Sequence, residues 1–309
     1  MRNSNPLLRS LVITAFGLCL VVVVLGAYVR LSAAGLGCPD WPGCYGHLTP
    51  PAVSVDGVLV DVGKGWREMI HRYAAGTLVL LLVAIATLAI QTRRKPLVAV
   101  PYAAGLLGLV FAQALLGMLT VTQKLAPWIV TAHLVLGMST LATLWWLVLT
   151  ISRRHAQVWR GATPFVGSSL PGTQRLALIA LLALALQIML GGWTSSHYAA
   201  TACPDFPTCQ GAWWPPMYGN VAIHFLHRLG ALLAAGLLAW AGIRVLRVRH
   251  DRFAHLAAIA VLGALGLQLT LGVLMVTHGF PLPIATAHNF GAALLLLATV
   301  ALNRSLRPA

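Results

Sequence analysis

Apolar residues in this chain come in long runs, without the alternation of strands or the narrow stripes of soluble helices. Runs extend from about residue 11 to 29, 68 to 91, 97 to 122 and 128 to 152, and again from about 174 to 194, 221 to 243, 254 to 277 and 284 to 303. Each is close to the ~20 residues that cross a hydrocarbon core as a helix. Polar segments rich in Gly and Pro separate them, and Pro127 and Pro283 stand where first-turn prolines belong. The pattern predicts an all-α integral membrane protein with eight transmembrane helices. The first run, with Arg2 and Arg9 before it and Ser32-Ala33-Ala34 after it, also has the outline of a signal peptide. Its counterpart in the second half is internal, so the repeat described next assigns it as a retained span.

The runs fall into two sets of four because the chain carries an internal repeat. Cys38-Pro-Asp-Trp-Pro-Gly-Cys44 returns as Cys203-Pro-Asp-Phe-Pro-Thr-Cys209, His71-Arg72 as His227-Arg228, and Thr131-Ala132-His133 as Thr286-Ala287-His288. Gln113, four residues before Gly117, returns as Gln268 before Gly272. The cysteine motif and the first histidine are 33 residues apart in the first copy and 24 in the second (71 − 38 and 227 − 203), so the first outer loop is longer. Four helices per copy is an even number, so both copies cross in the same sense. Any symmetry axis would then run along the membrane normal. The expected organisation is a four-helix unit over 1–155, a linker over 156–173 and a second four-helix unit over 174–309.

Composition sharpens this picture. Hydrophobic residues make up 59% of the 309-residue chain and charged residues 9%, which no soluble domain of this length matches. A net charge of +15 would suggest a nucleic-acid partner, but the positions of the charges exclude that reading. With the N-terminus inside, Arg2, Arg9, Arg93, Arg94, Lys95, Arg153, Arg154, Arg160, Arg175, Arg244, Arg247, Arg249, Arg252, Arg304 and Arg307 all lie on the inner side. Asp40, Asp56, Asp61, Glu68 and Asp205 lie on the other. This is the positive-inside distribution, with both termini in the cytoplasm.

The chemistry sits in four histidines. Helix 2 is expected to begin near Trp66, helix 4 at Pro127, helix 6 near Gly219 with Asn220 as its cap, and helix 8 at Pro283. His71, His133, His227 and His288 then each lie one to two turns inside a helix entered from the outer face. A single such histidine is more simply a core residue bonded to a carbonyl. Two matched pairs at one depth instead describe clamps for a flat, doubly ligated group. Heme fits better than zinc, because no third or fourth ligand recurs with either pair. His155, His250 and His255 are on the cytoplasmic side, and His47, His197 and His278 are in or near outer loops.

The copies differ at one telling place. Glu68, the only glutamate, stands three residues before His71 on the same helical face; the equivalent residue in the second copy is His224. A carboxylate at the membrane boundary beside a ligand is costly and points to function. The plainer reading is a helix N-terminal carboxylate paired with Arg67 or Arg72. Arg72 and Arg228 can meet heme propionates or simply snorkel to the interface. Gln113, Gln187 and Gln268, each four before a glycine, read as helix-packing positions without chemistry. The four loop cysteines face the oxidising side, with Cys38–Cys44 and Cys203–Cys209 the simplest of three connectivities. They serve as lids; a redox role for the first pair and a four-cysteine zinc site are the other readings. Cys19 is buried in helix 1.

At Glu68-x-x-His71-Arg72, His133, His227, His288 and both cysteine pairs, over essentially its whole length, the chain resembles the bacterial heme A synthases. The resemblance implies an enzyme of the cytoplasmic membrane that oxidises the C8 methyl of heme O to a formyl group through an alcohol. It implies a resident heme b on His227 and His288, the substrate heme between His71 and His133, and Glu68 at the reacting methyl. Arg72, His224 and Arg228 would be cofactor-contacting residues. The implied partners are a heme O synthase, an external electron acceptor and cytochrome oxidase assembly; a homo-oligomer is left open. The longer first loop departs from the family pattern. The alternatives are a dihaem cytochrome b electron carrier and a heme chaperone.

Overall fold

A computed structural model describes residues 6–52, 59–92, 98–160, 171–248 and 252–307, the side chains of 153–160 excepted. Arg2, Asp56, Arg93, Arg94, Lys95, Arg249 and His250 lie outside the described residues, as do the side chains of Arg153, Arg154, His155 and Arg160. Among the described residues there are eight long helices and no strand: α1 (Pro6–Leu31), α2 (Val62–Gln91), α3 (Val100–Thr122), α4 (Pro127–Arg160), α5 (Pro171–Ser196), α6 (Gly219–Arg247), α7 (Arg252–Thr277) and α8 (Leu282–Ser305). All eight are long and apolar enough to cross a membrane. Large apolar side chains such as Leu80, Leu182, Leu232 and Leu233 are exposed, as expected of helices whose outer faces meet lipid.

Helix boundaries follow local chemistry. The Asp61 carboxylate accepts the Lys64 amide at 2.9 Å and caps α2, so that helix starts at Val62, a turn before the expected Trp66. Asn220 is not a cap: Tyr218 takes that position, and the Asn220 amide donates to the His197 carbonyl at 3.3 Å. α3 and α7 end in matching Schellman turns. In one the Leu125 amide donates to Thr120 O and in the other Phe280 to Met275 O, both at 2.8 Å. Hydroxyls inside the helices bond back to the carbonyl four residues earlier, as Thr131, Ser139, Thr140 and Thr150 do, so each is satisfied without water.

The chain divides into two compact units, Met1–Leu144 and Trp145–Ala309. In the first, α1 packs on α2 and α2 on α3. In the second, α5 packs on α6, α6 on α7, α7 on α8 and α8 back on α5. The later part of α4 belongs to this second unit, where the Trp145 indole donates to Leu297 O at 3.0 Å. The Arg304 guanidinium donates to Thr150 Oγ1 at 3.0 Å, and Asn303 donates to Ala177 O at 2.9 Å. Helix occupies both ends of the segment read as a linker, since α4 runs to Arg160 and α5 begins at Pro171; residues 161–170 lie outside the described residues.

Candidate functional site

Each of the four histidines rests on a glycine of the preceding helix. A Cβ added to Gly26 would meet the His71 ring at 3.0 Å, one on Gly117 the His133 ring at 3.5 Å, one on Gly191 the His227 ring at 3.1 Å and one on Gly272 the His288 ring at 3.2 Å. The odd-numbered helix thus supplies a glycine and the even-numbered helix an imidazole, four times over. Small residues are needed there because a ring must lie flat against backbone. Within the first unit His71 and His133 are in electrostatic reach of each other, and within the second so are His227 and His288. The two predicted pairs are therefore brought together, each inside its own unit.

The imidazoles are half-buried, and the Nδ1 atoms of His71, His133 and His288 are buried without a hydrogen bond of sound geometry. A buried ring nitrogen left unmatched is costly unless something else engages it. Paired, glycine-cradled imidazoles with spare nitrogens fit the axial donor set of a heme. Among the described residues no three His, Cys, Asp or Glu side chains gather as a metal site. The cysteines do not bind zinc here: Cys38 is bonded to Cys44 and Cys203 to Cys209.

Each disulfide closes a small loop whose shape is held by an aspartate. Asp40 accepts the amides of Tyr45 and Gly46 at 2.6 and 2.8 Å, and Asp205 accepts those of Gln210 and Gly211 at 2.6 and 2.9 Å as well as the Thr208 hydroxyl. Partial burial works against the Asp40 carboxylate, yet the Gly46 and Tyr45 amides and Arg72 hold its pKa below the ordinary value. The Thr208 hydroxyl, with the Gly211 and Gln210 amides, brings Asp205 down to about 2. Both peptide bonds preceding Pro42 and Pro207 are cis.

The arginines after the first histidines bind these loops. Arg72 Nη1 donates to Asp40 O at 2.8 Å and Gly43 O at 2.5 Å, while Nη2 reaches Cys38 O at 3.3 Å. Arg228 donates to Thr208 O at 2.7 Å and Cys203 O at 2.8 Å. Sequence reasoning weighed propionates against snorkelling and missed this clasp, for which a signal existed: each copy that carries the loop also carries an arginine directly after its first helix-borne histidine.

Glu68 is 4% exposed and fully engaged. One carboxylate oxygen accepts the Cys38 amide at 2.9 Å, and the other is ion-paired with Arg72 Nη2. The Arg72 half of the plainer reading is thus present, but the carboxylate also holds the loop; Arg67 instead donates to Gly63 O at 3.0 Å. In the second unit the equivalent position holds a ring: Arg228 Nε donates to His224 Nε2 at 3.1 Å, with His224 itself buried. The arginine that binds one loop is paired with a carboxylate and the arginine that binds the other with an imidazole. A paired, desolvated carboxylate is an anion fixed in place, suited to stabilising positive charge that develops beside it.

Gln187 and Gln268, assigned to packing by the sequence, touch the histidines directly. Gln187 Nε2 lies 2.9 Å from His227 Nδ1 and donates to His227 O at 2.9 Å, and Gln268 Nε2 lies 3.2 Å from His288 Nε2. A cavity of about 270 Å³ lined by Gln174, Arg175, Asn303 and Arg307 is at the opposite end of the second unit and holds none of these residues.

Residues 9–300 match the family model described as cytochrome oxidase assembly protein (COX15-CtaA). The chain is 40% identical to the heme A synthase of Shewanella oneidensis, over 92% of each protein. It is 26% identical to that of Paracoccus denitrificans over 95% of this chain and 86% of the relative. Against the heme A synthase of Caulobacter vibrioides the identity is 28%, over 97% and 95%.

Proposed function

The chain belongs to the cytochrome oxidase assembly protein family (COX15-CtaA), and on that premise we propose that it is a heme A synthase, converting the C8 methyl of heme O to a formyl group through an alcohol. Methyl to alcohol takes up one water and releases two protons and two electrons, alcohol to aldehyde releases two more of each, and the electrons pass to an external acceptor. The single observation that carries the reading is the unequal pair of histidine clamps. Both units hold two imidazoles set on glycines, and only one carries a buried carboxylate on the same helix, three residues before a ligand.

The substrate heme belongs between His71 and His133. There Glu68, ion-paired with Arg72 and accepting the Cys38 amide, stabilises positive charge developing at the reacting methyl. It also accepts protons if the ion pair opens. Arg72 keeps the Cys38–Cys44 loop closed over this unit, which keeps bulk water from a site where the charge must count. A resident heme b on His227 and His288 supplies electron transfer when bound. Arg228 and His224 hold the second loop over that unit, and guanidinium donors not spent on carbonyls can meet propionates. The protein is a multi-pass membrane protein, and the charge asymmetry favours the bacterial cytoplasmic membrane with both termini inside and both disulfide loops outside. A heme O synthase is the natural supplier of substrate.

The reading is tested by supplying heme O to the purified, lipid-embedded protein with an electron acceptor and extracting the hemes for mass analysis. Heme A or the alcohol should accumulate. Unchanged heme O beside heme b would instead favour an electron carrier or chaperone.

A further inference from the structure

The two units treat their histidines differently at the ring nitrogens. In the second unit each imidazole meets a glutamine side chain from the preceding helix, His227 from Gln187 and His288 from Gln268. In the first unit neither does. α1 carries Val22 at the place four residues before Gly26, so His71 has the Val22 main chain near it in place of an amide side chain. Gln113 is present before Gly117, but its amide nitrogen lies against Gly137, 2.9 Å from where a Cβ would stand. His133 lies near the Gln113 main chain.

The buried amide oxygens of Gln113, Gln187 and Gln268 have no hydrogen-bond partner, and of these amides Gln187 and Gln268 meet a ring nitrogen. An imidazole that gives one nitrogen to a metal keeps a proton on the other and needs an acceptor for it. An amide presents its oxygen or its nitrogen to the same point after a half-turn. Each glutamine therefore stores the acceptor that its histidine requires on ligation, within reach of the ring. For Gln187 the turn gives up the bond to His227 O, which the new N–H···O bond replaces.

We propose that Gln187 and Gln268 are positioning residues that accept the ring proton of metal-bound His227 and His288 and so fix the ligand pair of the second unit. The inference rests on the functional reading above and assigns it a physical basis. A fixed, more basic ligand pair binds tightly and lowers the potential of its iron.

The test uses the full-length protein purified with its resident heme. Gln187→Met and Gln268→Met keep side-chain length and remove the acceptor. Expected are a 10- to 100-fold weaker hold on heme b, typical of lost outer-shell partners (roughly), a shifted low-spin EPR signal and a raised midpoint potential. Gln187→Glu keeps an acceptor and should retain heme with a potential at or below that of wild type, and it serves alone if the Met variants do not fold. Gln113→Met should leave the resident-heme signals unchanged. Unaltered EPR and potential in both Met variants, or lower thermal stability alone, overturns the proposal. If His227→Ala holds as much heme b as wild type, the functional reading itself fails, and that outcome is separate.

Discussion

The Cys38 amide donates to Glu68 Oε2 at 2.9 Å, so the disulfide loop and the lone glutamate of α2 form one bonded unit. Loop closure and carboxylate placement are then a single event. Opening the loop frees one oxygen of Glu68, and moving Glu68 unseats the loop.

Glu68→Ala should yield a folded protein with heme b that forms no heme A from added heme O. Glu68→Gln keeps an oxygen for the Cys38 amide but loses the charge, and should fall at least 100-fold in rate if electrostatic stabilisation is the main role, about the loss seen on removing a preorganised catalytic group. Extracted hemes quantified by mass spectrometry decide both. Wild-type heme A output from Glu68→Ala removes this residue from the mechanism.

His227→Ala and His288→Ala should each lose most of the resident heme b, whereas His71→Ala should lose little. Heme-to-protein ratios of purified variants check this. Equal loss from all of them would undo the division of labour between the units.

The glycines under the rings make a graded series. Gly191→Ala and Gly272→Ala put a methyl within 3.1 and 3.2 Å of His227 and His288, so these rings must shift, at about 1–3 kcal/mol of overpacking. Gly117→Ala meets His133 at an ordinary 3.5 Å and should be nearly silent. EPR of the bound heme and heme retention after detergent dilution separate the two outcomes. A disturbed resident heme in Gly117→Ala but not in Gly191→Ala would contradict the placement.

Arg228→Met should release the second loop, because the Thr208 and Cys203 carbonyls lose charged donors worth about 2 kcal/mol each. Amide hydrogen exchange over residues 203–211 should rise roughly thirty-fold for one such loss. Exchange at the wild-type rate would show that the clasp is not what holds the loop.

Acid acts on the same loop through Asp205. Its folded pKa of about 2 lies below the ordinary 3.8, so its contribution to loop stability is complete above pH 3.8 and is lost as the pH falls through about 2. Hydrogen exchange at residues 210 and 211 should therefore be flat above about pH 4 and accelerate below it, after correction for intrinsic rates. Asp205→Asn should abolish the acid limb, and an acid limb that survives in that variant assigns it elsewhere.

Much of this was legible in the sequence because membrane helices declare themselves by apolar run length and the repeat aligned four histidines without structure. The α2 start was misplaced since Asp61, its cap, sits in the longer first loop, where one more aspartate carries no signal. Asn220 looked like a cap because its residue type suits one, but its amide is drawn to His197 O. Gln187 and Gln268 were hidden by their neighbours. A polar residue a turn before glycine at a tight helix crossing is ordinary packing, and only geometry shows that the amide reaches an imidazole. Arg72 was hidden for the opposite reason, since an arginine near an interface has a ready explanation that conceals a specific one.

Arg72 hydrogen-bonds its loop through main-chain oxygens, those of Asp40, Pro42, Gly43 and Cys38. What it recognises is a curve traced by the backbone, whatever side chains decorate it. Exposed positions such as Trp41 and Leu48 can be exchanged to suit a different lipid or partner while the grip stays the same. The outer surface of this lid is free to diversify, and its underside is not.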